Sequence, residues 1–175
     1  MSKGKFLAAG VVIGLIVGAF ALRLSGADAK TLTAQDYADI MQLYYRYAQA
    51  LDRSDGQAWA ATFTPDGQIY APPPGVIPGN GLLDGRQAIA AYVKGSAKEF
   101  PGVHHVTVNV SLEKTPTGAK GVAYLLLTTL ESSPPRFTGG GLYDDILVKT
   151  SEGWHFKKRT YLAAKVAPAP AAPAR

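Results

Sequence analysis

The sequence predicts an α+β domain in which three N-terminal helices are followed by a mostly antiparallel sheet. Apolar residues recur at helical spacing in the segment 37–51, and two further helix starts follow before residue 100. After Pro101-Gly102 the apolar pattern changes to a period of two and keeps it almost to the end of the chain. With 175 residues and no internal repeat, the chain has the length of about one such domain.

The first helix has a clear start and a clear apolar face. Thr33 and Asp36 have the spacing of a capping box, which predicts a helix that begins directly after Thr33. Asp55 then predicts the start of a short second helix that buries Trp59 and Phe63. The apolar residues of the first helix lie on one face and are Tyr37, Ile40, Met41, Tyr44, Tyr47, Ala48 and Leu51.

The segments after the second helix alternate between turns and regular elements. The Thr-Pro-Asp-Gly turn at 64–67 precedes a short strand at 68–71, and the Pro- and Gly-rich segment 72–81 must be a loop. Asp84 predicts the start of a third helix over about 86–97. Four long strands are predicted after this helix, at 103–113, 121–131, 142–149 and 154–164.

The N-terminal segment has a different composition from the predicted domain. Lys3 and Lys5 precede an uninterrupted apolar run at 6–22, and Ala27-Asp28-Ala29 has the small-x-small pattern of a signal-peptidase site. Residues 1–29 are therefore predicted to be an export signal, with an uncleaved membrane anchor as the alternative. Either interpretation predicts a periplasmic or secreted protein.

The rest of the chain is predicted to consist of a domain at 30–165 and a disordered Ala- and Pro-rich tail at 166–175. Its composition limits the partners and cofactors that we expect. The formal net charge of +5 comes from scattered basic residues, without the interleaved aromatic residues of a nucleic-acid surface. The chain has no cysteine, and its 3 histidines lack metal-binding spacing. We therefore expect no nucleic acid, metal or cofactor, and contact with a membrane only through the N-terminal segment.

Six short motifs follow one another between residues 32 and 162. They are Tyr47-x-x-x-Leu51-Asp52 at the end of the first helix, Phe63-Thr64-Pro65-Asp66-Gly67, Gly85-Arg86, His105-x-x-x-Asn109, Gly140-Gly141-Leu142-Tyr143-Asp144 and Glu152-Gly153-Trp154. In this order they resemble the SnoaL-like domain family of the nuclear transport factor 2 superfold. The resemblance implies a cone-shaped α+β barrel, in which the three N-terminal helices pack on a curved, mostly antiparallel sheet and close a pocket. It also implies a homodimer formed through the open sheet face.

The resemblance also implies three catalytic residues. In the lyases of this family a carboxylate at the end of the first long helix orients and charges a histidine on the strand after the third helix, and Asp52 and His105 match those positions. Tyr70 matches a tyrosine that helps to polarise the substrate carbonyl in scytalone dehydratase. The second histidine of that enzyme has no counterpart, because 124–129 reads Tyr-Leu-Leu-Leu-Thr-Thr. Scytalone itself is therefore not the implied substrate.

These residue types favour proton abstraction from a small hydrophobic substrate without a cofactor, as in a lyase or isomerase. A neutral imidazole, with an unperturbed pKa of about 6.5, can accept a proton near neutral pH, and a carboxylate on its other nitrogen fixes the tautomer. A phenol such as Tyr70 can donate to the oxygen that becomes negative. The residues expected to contact the substrate are Tyr47, Asn109, Tyr143 and Asp144.

Other interpretations of the same residues stay open. Asp52 can instead cap the second helix or pair with Arg53 at the surface. The odd positions from His105 form the more polar face of their strand, so His105 faces solvent if that face is simply wet. The chain is then a non-catalytic module of the same fold that binds a ligand or a protein in the cell envelope. Asp144-Asp145 either lines the pocket or lies at a sheet edge, and Lys157-Lys158-Arg159 is expected to be a solvated edge.

Overall fold

The computed structural model describes residues 31–73, 75–96, 102–130 and 132–164. The predicted leader and the predicted tail both lie outside these residues. The elements in chain order are α1 (Ala34–Asp52), α2 (Gly56–Ala61), β1 (Phe63–Tyr70), β2 (Leu82–Asp84), α3 (Gly85–Ser96), β3 (Val103–Thr115), β4 (Gly118–Thr129), β5 (Arg136–Thr150) and β6 (Gly153–Ala163). The predicted α+β class and the predicted order of helices and long strands are confirmed.

The strands form one six-stranded sheet in the order β2-β1-β6-β5-β4-β3. Neighbouring strands are antiparallel except β1 and β6, which run parallel. After β2 and α3 the chain continues at the opposite edge with β3, and the antiparallel strands β3 to β6 then lead back across the sheet until β6 lies beside β1. The sheet is curved and does not close, so β2 and β3 are its edges. The short strand β2 lies at the end of the Pro- and Gly-rich segment and was not predicted.

Asp36 joins the start of α1 to the hairpin formed by β5 and β6. The predicted capping box with Thr33 is present, and the same carboxylate accepts hydrogen bonds from Lys149 Nζ at 2.8 Å and Trp154 Nε1 at 3.0 Å. The hydrogen bond from the Lys149 ammonium lowers the pKa of Asp36 well below its ordinary value, which outweighs the opposite effect of burial. An ionised Asp36 therefore holds α1 against the β5–β6 turn.

The core lies between the helices and the inner face of the sheet. Aromatic rings dominate it, and they meet edge-on or tilted, as Tyr44 and Tyr47 do with Phe156 at centroid distances of 5.2 and 5.6 Å. Phe63 and Trp154 are both buried, as predicted. Asp55 caps α2 by accepting from the Ala58 amide, which confirms the predicted start of that helix.

A bulge divides β3 into two halves that present opposite residue parity to the core. The pairing with β4 shifts between Val108 and Ser111, and Asn109 lies within this interval with a φ of 52°. Before the bulge, His105 lies on the inner face opposite Leu127, whereas after it Leu112 packs against the core. The polar and apolar faces read from the sequence are therefore not continuous, and His105 is on the inner face.

Candidate functional site

Asp52 and His105, from two distant elements, meet at the edge of the sheet. α1 ends at Asp52, which brings its carboxylate beside the free edge of β3. His105 Nδ1 lies 2.6 Å from Asp52 Oδ1, and the His105 backbone N–H donates to both carboxylate oxygens at 3.1 and 3.2 Å. Because an ionised carboxylate only accepts hydrogen bonds, the tautomer with its hydrogen on Nδ1 satisfies this contact, and that tautomer leaves Nε2 free to accept a proton.

His104 also approaches the same carboxylate, but from the solvent side. Its Nδ1 lies 3.6 Å from Asp52 Oδ2, and its side chain is 36% exposed, compared with 20% for His105. His105 lines the adjacent cavity and His104 does not. Of the two neighbouring histidines, His105 is therefore the one that a molecule in the cavity can contact.

The cavity beside His105 has a volume of about 480 Å³. Its walls are mostly aliphatic and aromatic, and its polar side chains other than tyrosines are Asp52, Ser54, His105 and Thr138. No lysine or arginine is among the residues that line it within the described part of the chain. Apolar contributors from several elements are Leu51, Trp59, Ile69, Ile77, Val103, Leu125 and Leu127.

The structure brings two of the four predicted substrate-binding residues to this cavity. Tyr47 from α1 and Tyr143 from β5 are buried and line it. Asn109 is exposed at the bulge of β3, and Asp144 is exposed because it alternates with the inward-facing Tyr143 and Asp145. Neither Asn109 nor Asp144 lines the cavity, so the structure does not support the contacts expected for them.

Tyr70 is the predicted catalytic residue that the structure places elsewhere. Its neighbours Ile69 and Ala71 line the cavity, and strand alternation turns Tyr70 to the other face of β1. There its ring lies 6.0 Å from Lys158 Nζ. Tyr70 is therefore not in position to polarise a substrate held beside His105.

Sequence reasoning missed a buried ion pair on the inner face of the sheet. Arg159 was expected at a solvated edge, and this expectation is wrong because both Arg159 and Asp145 are fully buried and pair in register between β6 and β5. Arg159 Nε and Nη2 donate to the two Asp145 oxygens at 2.8 and 2.7 Å. The alternation of Tyr143, Asp145 and Leu147 was a usable signal, because it places the carboxylate between two inward-facing residues.

Arg159, Asp145 and Tyr44 form one buried cluster, and burial and the ion pair together determine the protonation of Arg159 and Tyr44. Burial disfavours the charged form of Arg159, but the Asp145 carboxylate more than compensates and raises its pKa well above its ordinary value. Burial raises the pKa of Tyr44, and the neighbouring Asp145 adds to the rise, while the Tyr44 hydroxyl donates to Asp145 Oδ2 at 2.5 Å. Arg159 is therefore a cation and Tyr44 a neutral phenol over the whole physiological range.

Within the described residues, no group of three or more histidine, aspartate or glutamate side chains is placed to hold a metal ion. In the same part of the chain, no helix is both long and apolar enough to cross a bilayer.

A protein-family model identifies the family to which this chain belongs. The model of a SnoaL-like domain matches residues 32–160. The chain belongs to the SnoaL-like domain family. The match covers nearly the whole described domain, so the helices, the sheet and the cavity all belong to the SnoaL-like unit, and the resemblance read from the sequence motifs is confirmed.

Solved structures share this SnoaL-like fold at low sequence identity. A protein of unknown function with a cystatin-like fold from Nostoc punctiforme is 23% identical, with a TM-score of 0.68 over 78% of this chain and 97% of that one. A nuclear transport factor 2-like protein from Novosphingobium aromaticivorans is 19% identical, with a TM-score of 0.66 over 86% and 90% of the two chains. A candidate scytalone dehydratase from the same organism is 23% identical, with a TM-score of 0.60 over 74% and 84%. A search among curated proteins finds no significant match.

Proposed function

We propose that this SnoaL-like protein is a cofactor-free lyase or isomerase in which His105 removes a proton from carbon and Asp52 orients the imidazole. The observation that carries the proposal is the 2.6 Å contact between His105 Nδ1 and Asp52 Oδ1 at the wall of a cavity of about 480 Å³. A carboxylate in this position stabilises the imidazolium that forms when Nε2 takes a proton. Membership of a family that includes dehydratases and isomerases supports the same reaction class.

The cavity walls favour an uncharged and largely apolar substrate. Among the described residues that line the cavity, the charged ones are Asp52 and, when protonated, His105, so a permanently anionic group has no lysine or arginine to pair with directly. The volume is within the range of about 300–1,000 Å³ that is common for small-molecule sites. Aromatic walls such as Tyr47, Trp59 and Tyr143 suit a flat, ring-containing molecule with one carbonyl oxygen.

Hydrogen–deuterium exchange at carbon tests proton abstraction with a simple ketone in place of the natural substrate. The full chain is incubated in D₂O with 1-tetralone, a neutral bicyclic ketone, and loss of the signal of its α-protons is followed by NMR. We expect exchange above the buffer rate, and a decrease of about 100-fold or more in the His105→Gln variant, because a positioned base contributes on this scale. Asp52→Asn should lose less, because the base remains but its orientation is weakened.

A matched control separates the proposed base from a general effect of histidine. His155 is buried and lies near Thr150 Oγ1 and the Gly153 carbonyl oxygen, outside the cavity, so His155→Gln should exchange at the wild-type rate. Equal exchange in wild type and His105→Gln would contradict the proposal. Tight binding of the ketone without any exchange would instead support the alternative that this chain is a ligand-binding module.

We also propose that the protein is exported, as the composition of residues 1–29 predicts. The basic start, the apolar run at 6–22 and the small residues at 27–29 support this proposal. Mass spectrometry of the protein recovered from a periplasmic or secreted fraction tests it. A chain that starts at Lys30 indicates cleavage, and an intact chain in the membrane fraction indicates an anchor.

A homodimer through the outer sheet face is the third proposal. Val108, Tyr124, Leu142 and Leu162 lie opposite one another across four strands, and Tyr124 and Leu162 are 52% and 42% exposed. An exposed apolar row of this kind is typical of an interaction surface. Light scattering after size exclusion should give twice the chain mass, and Tyr124→Lys should give a monomer. A monomeric wild type would contradict this proposal.

A further inference from the structure

The ion pair between Arg159 and Asp145 leaves one guanidinium nitrogen unpaired. Arg159 Nε and Nη2 are used by the two oxygens of Asp145, whereas Nη1 is buried without a hydrogen-bond partner among the described residues. Tyr44 takes part in the same cluster through its bond to Asp145 Oδ2. An unsatisfied N–H of a buried cation is costly, so its retention calls for a physical reason.

Aromatic rings pack against the Arg159 guanidinium. The distances from Arg159 Cζ to the ring centroids are 3.8 Å for Tyr143, 4.0 Å for Phe156 and 4.1 Å for Tyr47. At these distances the cation is attracted by the ring faces, and it withdraws electron density from them. A phenol ring that is polarised in this way donates its hydroxyl hydrogen more strongly.

Two of these rings also form part of the cavity wall that faces the substrate. Tyr47 and Tyr143 both line the cavity together with His105, and their centroids are 5.9 Å apart. Burial raises the pKa of both phenols, and Arg159 opposes that rise. Both phenols therefore stay protonated, while the cation behind them favours negative charge on an oxygen that they contact.

Stability alone does not explain the arrangement. A buried ion pair contributes little net stability compared with well-packed apolar residues, because both charges must be desolvated. A desolvated cation directly behind a cavity wall is, in contrast, a common means of stabilising charge that develops during a reaction. The position of Arg159 behind Tyr47 and Tyr143 is consistent with that use.

We propose that Arg159 is a positioning residue that makes Tyr47 and Tyr143 the hydrogen-bond donors to the substrate oxygen. The inference rests on the proposed function, in which His105 Nε2 takes the proton. As the C–H bond breaks, its electron pair forms a C=C bond and the carbonyl π pair moves onto the oxygen. The proton is then on His105, the negative charge is on the enolate oxygen, and the two phenols donate hydrogen bonds to that oxygen.

An enolate mimic tests this inference without turnover. The full chain is titrated with 2-naphthol, and absorbance gives the ratio of its affinities for naphtholate and for neutral naphthol. We expect wild type to prefer naphtholate, and Tyr47→Phe or Tyr143→Phe to reduce the preference about 10-fold or more, as for loss of a hydrogen bond to a charged group. Tyr45→Phe is the matched control, because Tyr45 is an exposed tyrosine on the same helix.

Removal of the cation requires removal of its partners as well. In the triple variant Tyr44→Phe, Asp145→Leu, Arg159→Met the apolar replacements keep the volume without an unpaired buried charge. We expect this variant to bind neutral 2-methylnaphthalene like wild type but to lose the preference for naphtholate. A merely structural cluster would instead lower the affinity for both ligands together.

The outcomes also separate this inference from the proposed function. His105→Gln should retain the preference for naphtholate, since the phenols and not the base create it. If His105→Gln left the exchange of 1-tetralone unchanged, the proposed function would fail. If naphthol did not bind, or if Tyr47→Phe and Tyr143→Phe both retained the wild-type preference, the role given to Arg159 would be overturned.

Discussion

Replacement of Arg159 by methionine alone is expected to destabilise the domain strongly. Methionine fills a similar volume, but Asp145 then remains fully buried, and within the described part of the chain the Tyr44 hydroxyl is its remaining side-chain partner. Breaking one side of a buried ion pair costs about 3–5 kcal/mol. For a domain of about 130 residues this corresponds to a decrease in Tm of about 10 to 25 °C.

Urea denaturation followed by tryptophan fluorescence measures this cost, because Trp59 and Trp154 are both buried and report loss of the core. The triple variant that also carries Tyr44→Phe and Asp145→Leu should regain most of the lost free energy, to within about 1–2 kcal/mol of wild type. If Arg159→Met cost less than about 1 kcal/mol, or if the triple variant were no more stable than the single one, the cluster would not be a desolvated ion pair.

Three smaller effects follow from particular contacts. The pKa of Asp36 is lower in the folded protein than its ordinary value of 3.8, so ionised Asp36 stabilises the fold at pH values above 3.8. Stability should therefore fall as the pH drops below about 4, and the urea midpoints of Asp36→Asn should lack part of this pH dependence. Asn109→Gly should keep the stability of wild type, whereas Asn109→Val should lose about 1–2 kcal/mol in the same assay, because a β-branched residue is strained at a φ of 52°. Gly121→Ala places a Cβ 2.5 Å from the Tyr44 hydroxyl and should lower the free energy of unfolding by about 1–3 kcal/mol. In the control Gly139→Ala the nearest atom lies at 3.9 Å, so this variant should be nearly as stable as wild type. Equal losses in the two variants would contradict this account.

The features that could be predicted from the sequence depend on residues close together in the chain. The capping box of Thr33 and Asp36, the cap at Asp55 and the apolar face of α1 were all legible, because helix signals repeat within a few residues. Strand boundaries were less exact. β5 begins at Arg136 and not at the predicted residue 142, because the glycines at 139–141 hide the alternation on which the prediction relied.

The features that were missed depend on how neighbouring strands pair, and pairing register has no short-range signal in the sequence. Nothing near Arg159 in the chain distinguishes it from the two lysines before it, and its burial results from direct pairing with Asp145 across the β5–β6 ladder. The bulge at Asn109 had no clear signal either, because asparagine is common in turns as well as in left-handed backbone. Because the bulge was not predicted, the sequence pattern could not show that His105 and Leu112 both face inward.

The position of Asp52 at the sheet edge has a consequence for self-association. β3 is a long edge strand, and an unpaired backbone N–H on such an edge invites another strand to add to it. Asp52 occupies the outward N–H of His105 and places a negative charge there. The carboxylate that contacts the His105 imidazole therefore also hinders the addition of another strand at this point of the edge. A variant without this carboxylate would leave the His105 N–H open to pairing with another strand.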